Sequence, residues 1–214
     1  MSRASRGHTL IEVVVAASLT LLIGLLFLNV LWPAMRSTAR NATRISLQQS
    51  ALMGLNRISK DLQAAPPAGV GLAVNPTVLS VHKIVDVVTT SPVSQIYDDH
   101  LVVYAYDPVK AILLRRVWPE TEDPNQTLDG ILKPPTPLLA VRPLPGSLGY
   151  FGSHPGDRDR KLLTQIRSFS ITSAVSPPQI SPPLRLNLEL EAPLAGGGSY
   201  RFLMNQSVSL RQAE

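Results

Sequence analysis

Hydrophobic positions follow two different rhythms along this chain. From Val13 to Met35 there is no Asp, Glu, Lys or Arg, and the run VVVAASLTLLIGLLFLNVLW is unbroken by charge. As a helix it is long enough to cross roughly 30 Å of hydrocarbon. Pro33 follows and predicts a kink, because it removes a helix hydrogen bond. Residues 34–65 then hold helix formers and no further proline. Ile45, Leu52, Leu55, Ile58 and Leu62 recur at spacings of about 3.5, which predicts one apolar stripe. Arg36, Arg40 and Arg44 form a separate row at i, i+4 and i+8, read as a solvated basic face in preference to a lipid-headgroup or nucleic-acid contact. Pro66 and Pro67 forbid continuation. A helix over 8–65 would run about 87 Å, its first half serving a membrane and its second burying the stripe against a sheet.

Past Ala65 the rhythm changes to period two. Strands are predicted over 79–88, 100–106, 111–118, 162–172, 184–192 and 200–210. The clearest is Leu184-Arg-Leu-Asn-Leu-Glu-Leu-Glu191, where leucine alternates with polar residues. Its partner would place Tyr200, Phe202, Met204, Val208 and Leu210 on one face, joined through the turn at 195–199. Residues 107–110 are read as a second hairpin turn, and the proline-rich stretches 133–146 and 176–183 as extended loops. One long helix followed by strands implies an α+β fold with an antiparallel sheet.

Composition adds little to this division. Hydrophobic content is 44% but aromatic content only 5%, and cysteine is absent, which excludes disulfides and thiolate metal sites. The net charge is +5; without Arg3 and Arg6, Lys+Arg falls from 20 to 18 against 15 acids, leaving +3. That excess does not argue for nucleic acid as a partner. Arg3 and Arg6 precede the apolar run with no acid nearby, which places the N-terminus in the cytoplasm and the remainder outside.

The string before the run, Gly7-His8-Thr9-Leu10-Ile11-Glu12-Val13, resembles the type IV pilin and pseudopilin signal. The resemblance implies a leader over 1–7, cut by a prepilin peptidase between Gly7 and His8. N-methylation of the new amine normally follows; His8 departs from the usual Phe. It further implies a transmembrane and filament-core helix over 8–35, its amphipathic continuation over 36–65, and a periplasmic or extracellular β-rich domain over 66–214. Glu12 is an acid at the edge of an apolar helix, where an unpaired charge is costly. In the family such a residue pairs with the N-terminal amine of a neighbouring subunit. The stretch Arg57-Ile58-x-x-Asp61-Leu62-x-x-Ala65 and the ending 207–211 are similar to J-type minor pseudopilins of type II secretion and PilW-type minor pilins.

No residue set announces chemistry. The histidines at 8, 82, 100 and 154 are scattered, and Asp98-Asp99-His100 reads as a turn before a strand and not as a ligand group. Residues 156–161 alternate acids with bases, as in a solvated loop. There is no nucleophile motif, phosphate-binding glycine loop or HExxH, so neither an enzyme nor a cofactor is expected. The expectation is a minor pseudopilin or minor pilin that initiates or caps a secretion pseudopilus or pilus. Its partners would be other pilins, the prepilin peptidase, an inner-membrane assembly platform and membrane lipid. The alternative is a membrane-anchored tip module that binds a surface, a secreted substrate or incoming DNA.

Overall fold

The computed structural model describes residues 9–73, 77–88, 94–118, 160–175 and 180–211. One helix, α1, runs over Leu10–Gln63 for 54 residues, or about 81 Å. It starts with a capping box: Thr9 Oγ1 accepts from Glu12 N, and the Glu12 carboxylate accepts from Thr9 N. It continues through Pro33, which has no N–H to donate to the Asn29 carbonyl. It ends two residues before the predicted position and gives way to a single 3-10 turn, Pro67–Gly69.

Among the described residues eight strands follow, all paired antiparallel. A five-stranded meander holds β1 (Val70–Ala73), β2 (Val78–Val88), β3 (Ser94–Asp107), β4 (Ile112–Trp118) and β5 (Arg160–Leu163) in chain order. A three-stranded sheet holds β6 (Ile166–Thr172), β7 (Leu184–Pro193) and β8 (Ser199–Val208). The α+β class is therefore correct, with two sheets in place of one. The predicted strand over 162–172 is two strands in different sheets. Gln165 adopts φ +61°, which no strand residue can hold, and its carbonyl accepts from Glu191 N. The chain thus leaves one sheet and enters the other within two residues.

The second half of α1 packs across both sheets and closes one shared core. Its buried face is not quite the predicted stripe. Leu47, Ala51, Gly54, Leu55, Ile58 and Leu62 are inside, whereas Ile45 and Leu52 remain 53% and 45% exposed. The difference arises because small residues, and not bulky ones, do part of the packing. A Cβ on Gly54 would lie 2.6 Å from a methyl of Leu163, itself buried on β5, so only glycine admits the strand this closely.

The β7 alternation appears as predicted: Leu184, Leu186, Leu188 and Leu190 are fully buried, and the residues between them are not. Burying each leucine contributes about 2 kcal/mol. Leu188 faces Met204 and Leu190 faces Phe202 across the hairpin. In β3 the run from Leu101 to Tyr106 is buried at every position, not at alternate ones. Val102, Tyr104 and Tyr106 join the helix-side core, so the residues between them are buried on the opposite face. A continuous apolar run is what a strand covered on both faces requires.

Candidate functional site

Gly7 and His8 lie outside the described residues. Beyond them the apolar half of α1 stands uncovered: every side chain from Thr9 to Ala42 is exposed. From Leu10 to Trp32 this half is about 35 Å, sufficient by length and composition to cross a membrane. Its hydroxyls are satisfied within the helix, with Ser18 Oγ donating to Val14 O at 2.6 Å and Thr20 Oγ1 to Ala16 O at 2.8 Å. A polar group in lipid needs such an internal acceptor.

Glu12 has a local role the sequence did not reveal. Its Oε2 accepts Thr9 N at 3.0 Å while Thr9 Oγ1 accepts Glu12 N at 3.4 Å.

Beginning one turn beyond Trp32, the basic row is more than a solvated face. Arg36 lies over the Trp32 ring and Arg44 over the Tyr200 ring, each at 5.0 Å. Arg40 Nε donates to Ala195 O at 3.2 Å. The row therefore grips the β7–β8 turn, whose Gly196, Gly197 and Gly198 all have positive φ. Trp32, Pro33, Arg36, Ser37, Arg40, Asn41 and Arg44 line a groove of about 390 Å³.

The most developed polar site lies at the other end of the helix. Asp61 is buried on the core side of α1, and the Tyr104 hydroxyl donates to its Oδ2. Arg115 Nη2 reaches the same oxygen at 3.4 Å, and Arg57 Nε approaches it at 3.9 Å. Lys83 Nζ approaches Oδ1 at 3.7 Å and also bridges to Asp98 at 3.8 Å. Burial, and then the Asp61 charge, pushes the Tyr104 hydroxyl well above the usual phenol range. One helix carboxylate thereby ties together β2, β3 and β4. The motif Arg57-Ile58-x-x-Asp61-Leu62-x-x-Ala65 acquires a physical meaning: Ile58, Leu62 and Ala65 enter the core, and Asp61 binds the sheet between them. The sequence held a signal for this. Asp61 is the first acid after Glu12, and it lies between two core positions of the stripe.

Asp98-Asp99-His100 is not a turn but part of β3, which is longer than predicted. Two register shifts against β2 accommodate it. The Asp98 carbonyl lies 2.7 Å from His82 Nε2, and its carboxylate accepts His100 N at 3.1 Å. Among the described residues no three His, Asp or Glu side chains converge as metal ligands. His154 and most of 156–161 lie outside the described residues; Arg160 and Lys161 begin β5.

Compared with protein-family models, curated proteins and solved structures, the chain finds no match in any of the three. The functional reading rests on its own residues.

Proposed function

We propose that the chain is a minor pseudopilin or minor pilin, a membrane-inserted subunit that initiates or caps a filament. The observation that supports this best is the division of one continuous helix. Its first half is apolar and uncovered, while its second half is fixed to an antiparallel β domain. An uncovered apolar half must be buried elsewhere, in lipid or against the helices of other subunits. The string Gly7-His8-Thr9-Leu10-Ile11-Glu12 at its head supplies a processing site and a carboxylate able to meet a neighbour's new amine. Orientation in this reading follows from peptidase access to the Gly7–His8 junction at the cytoplasmic face. The orientation expected above from Arg3 and Arg6 alone does not stand on charge bias, because Arg36, Arg40 and Arg44 on the far flank outnumber them.

The test is processing. Co-expressed with a prepilin peptidase, the chain is expected to lose Met1 to Gly7, as read by intact mass, and a bulky residue at Gly7 is expected to block the cut. Recovery of full-length chain where a control pilin is cleaved would refute the assignment.

A further inference from the structure

The groove beside the basic row lies at a depth that defines its occupant. Counting about 30 Å of hydrocarbon from Glu12 at 1.5 Å per residue ends the apolar span at Trp32. A tryptophan belongs at that boundary, where its ring is apolar and its N–H is wet. Arg36 is one turn further, about 6 Å into the headgroup layer, with Arg40 about 12 Å and Arg44 about 18 Å from the boundary. No Asp or Glu occurs between Glu12 and Asp61, and the turn at 194–199 contains none either. No carboxylate among the described residues pairs with any of the three arginines. Their recorded partners are two aromatic rings and one backbone carbonyl, which leave guanidinium donors for an anion.

The hairpin strengthens the case. β7 runs antiparallel to α1, from Leu184, beside Val208 near the helix end, to a turn that meets Arg40. A Cβ on Gly196 would sit 3.5 Å from Arg40 Nη2 and 3.7 Å from Arg36 Cδ. The glycine turn therefore sits against the membrane-proximal end of the row. A tip built of glycine is neutral, so it does not repel phosphate.

We propose that Trp32, Arg36 and Arg40, closed on one side by the 195–198 turn, form a binding site for the phosphodiester of an anionic phospholipid headgroup. The lipid belongs to the leaflet on the β-domain side. The proposal rests on the membrane-spanning part of the reading above and not on the filament part. The apolar span fixes the depth, the groove fixes the place, and the uncompensated guanidinium charge fixes the sign of the ligand. Arg36 carries most of the binding because it lies within the headgroup layer. Arg44, beyond a Debye length of about 8 Å from it, carries least.

The test uses the full chain with Trp118→Phe, so that Trp32 is the sole indole, embedded in vesicles of phosphatidylcholine and phosphatidylglycerol. Brominated acyl chains are placed on one lipid at a time, and quenching of Trp32 gives the relative affinity for each. Phosphatidylglycerol is expected to be favoured about fivefold for each arginine within the headgroup layer. Arg36→Gln should bring the ratio close to one, Arg40→Gln should lower it less, and Arg44→Gln should barely change it. Lysine at all three positions should restore most of the preference. Circular dichroism checks that each variant keeps its fold. A ratio of one in the embedded wild type overturns the lipid site. So does equal loss from all three single variants, which would indicate diffuse attraction. Excess inorganic phosphate, matched in ionic strength with chloride, should leave the ratio unchanged; abolition assigns the groove to soluble phosphate and overturns the lipid. Alkaline carbonate extraction of the same vesicles reports separately on the span. A chain that washes out refutes the membrane reading, and the lipid site with it.

Discussion

Replacing Asp61 tests how the helix is fastened to its domain. The Asp61 side chain is 8% exposed and that of Arg115 13%, so their pairing is governed by buried-charge energetics; Arg57, half exposed, contributes little. Asp61→Ala removes the acceptor of the Tyr104 hydroxyl, a bond to a charged group worth about 1.5–3 kcal/mol. It also leaves Arg115 and Lys83 without their shared anion, and breaking a buried pair costs about 3–5 kcal/mol. These overlap, so the expected loss is about 3–4 kcal/mol. Asp61→Asn keeps an acceptor for Tyr104 and is expected to lose about 1–2 kcal/mol. Tyr104→Phe is expected to cost about 1–2 kcal/mol, and the double variant with Asp61→Ala less than the sum, since the two share one bond. The assay is denaturant unfolding of the β domain in detergent-held full chain, followed by circular dichroism. Tyr104 adds a pH signature. Its folded-state pKa lies above the unfolded 10.0, so the fold retains a proton that the unfolded chain releases. Its contribution is whole below pH 10 and declines as pH rises beyond it, at most about 1.4 kcal/mol per unit. Tyr104→Phe should remove that part of the alkaline slope. If Asp61→Ala unfolds within about 0.5 kcal/mol of wild type, the carboxylate is no fastening and the reasoning fails.

Other substitutions examine separate parts. Leu188→Asp places an unpaired charge among the β7 leucines and is expected to abolish cooperative melting of the domain; an unchanged melting temperature would reverse the strand facing. Gly54→Val is expected to cost about 1–3 kcal/mol by overpacking Leu163, with partial rescue by Leu163→Ala; a neutral result would show that α1 and β5 can separate freely. Hydrogen bonds from Ser199 and then Arg167 hold the Glu191 carboxyl down to about 2, so its contribution is present above pH 4.5 and fades as pH falls towards 2. Glu191→Gln should flatten that acid limb in a stability-versus-pH titration, and an unchanged limb would discount the pairing. If the proposed filament role holds, Glu12→Leu should still insert and be cleaved but fail to crosslink to co-expressed pilins; wild-type crosslinking and function would favour the anchored module instead.

The elements were legible where one periodicity dominated. The uncharged run, the period-two leucines of β7 and the glycine turn before β8 each have one physical reading, and each is found in place. The hairpin turn after β3 was equally plain, with the Asp107 carboxylate accepting from Val109 N and Lys110 N. What escaped depended on partners distant in sequence. β1 is four residues long and is stabilised by pairing with β2. The break at Gln165 follows from the choice between two sheets, which no local pattern records. Asp61 could be located as an acid within an apolar stripe, but Tyr104, Lys83 and Arg115 come from three strands that only the folded topology brings together.

The end of α1 is held by both sheets at adjacent residues. The Ala64 carbonyl accepts from Ile84 N of β2 at 2.8 Å, and the Ala65 carbonyl accepts from Arg211 N, just past β8, at 3.0 Å. Tension along the helix axis therefore reaches two sheets through one clamp. β7 and β8 lie alongside the helix for about 33 Å, so their hydrogen bonds resist such a pull together in shear and are not unzipped one at a time. Drawn out by its helix in an optical trap, the domain should release both sheets in a single rupture; two separate ruptures would mean the clamp does not couple them. A domain fastened to its helix in this way transmits load as one rigid body.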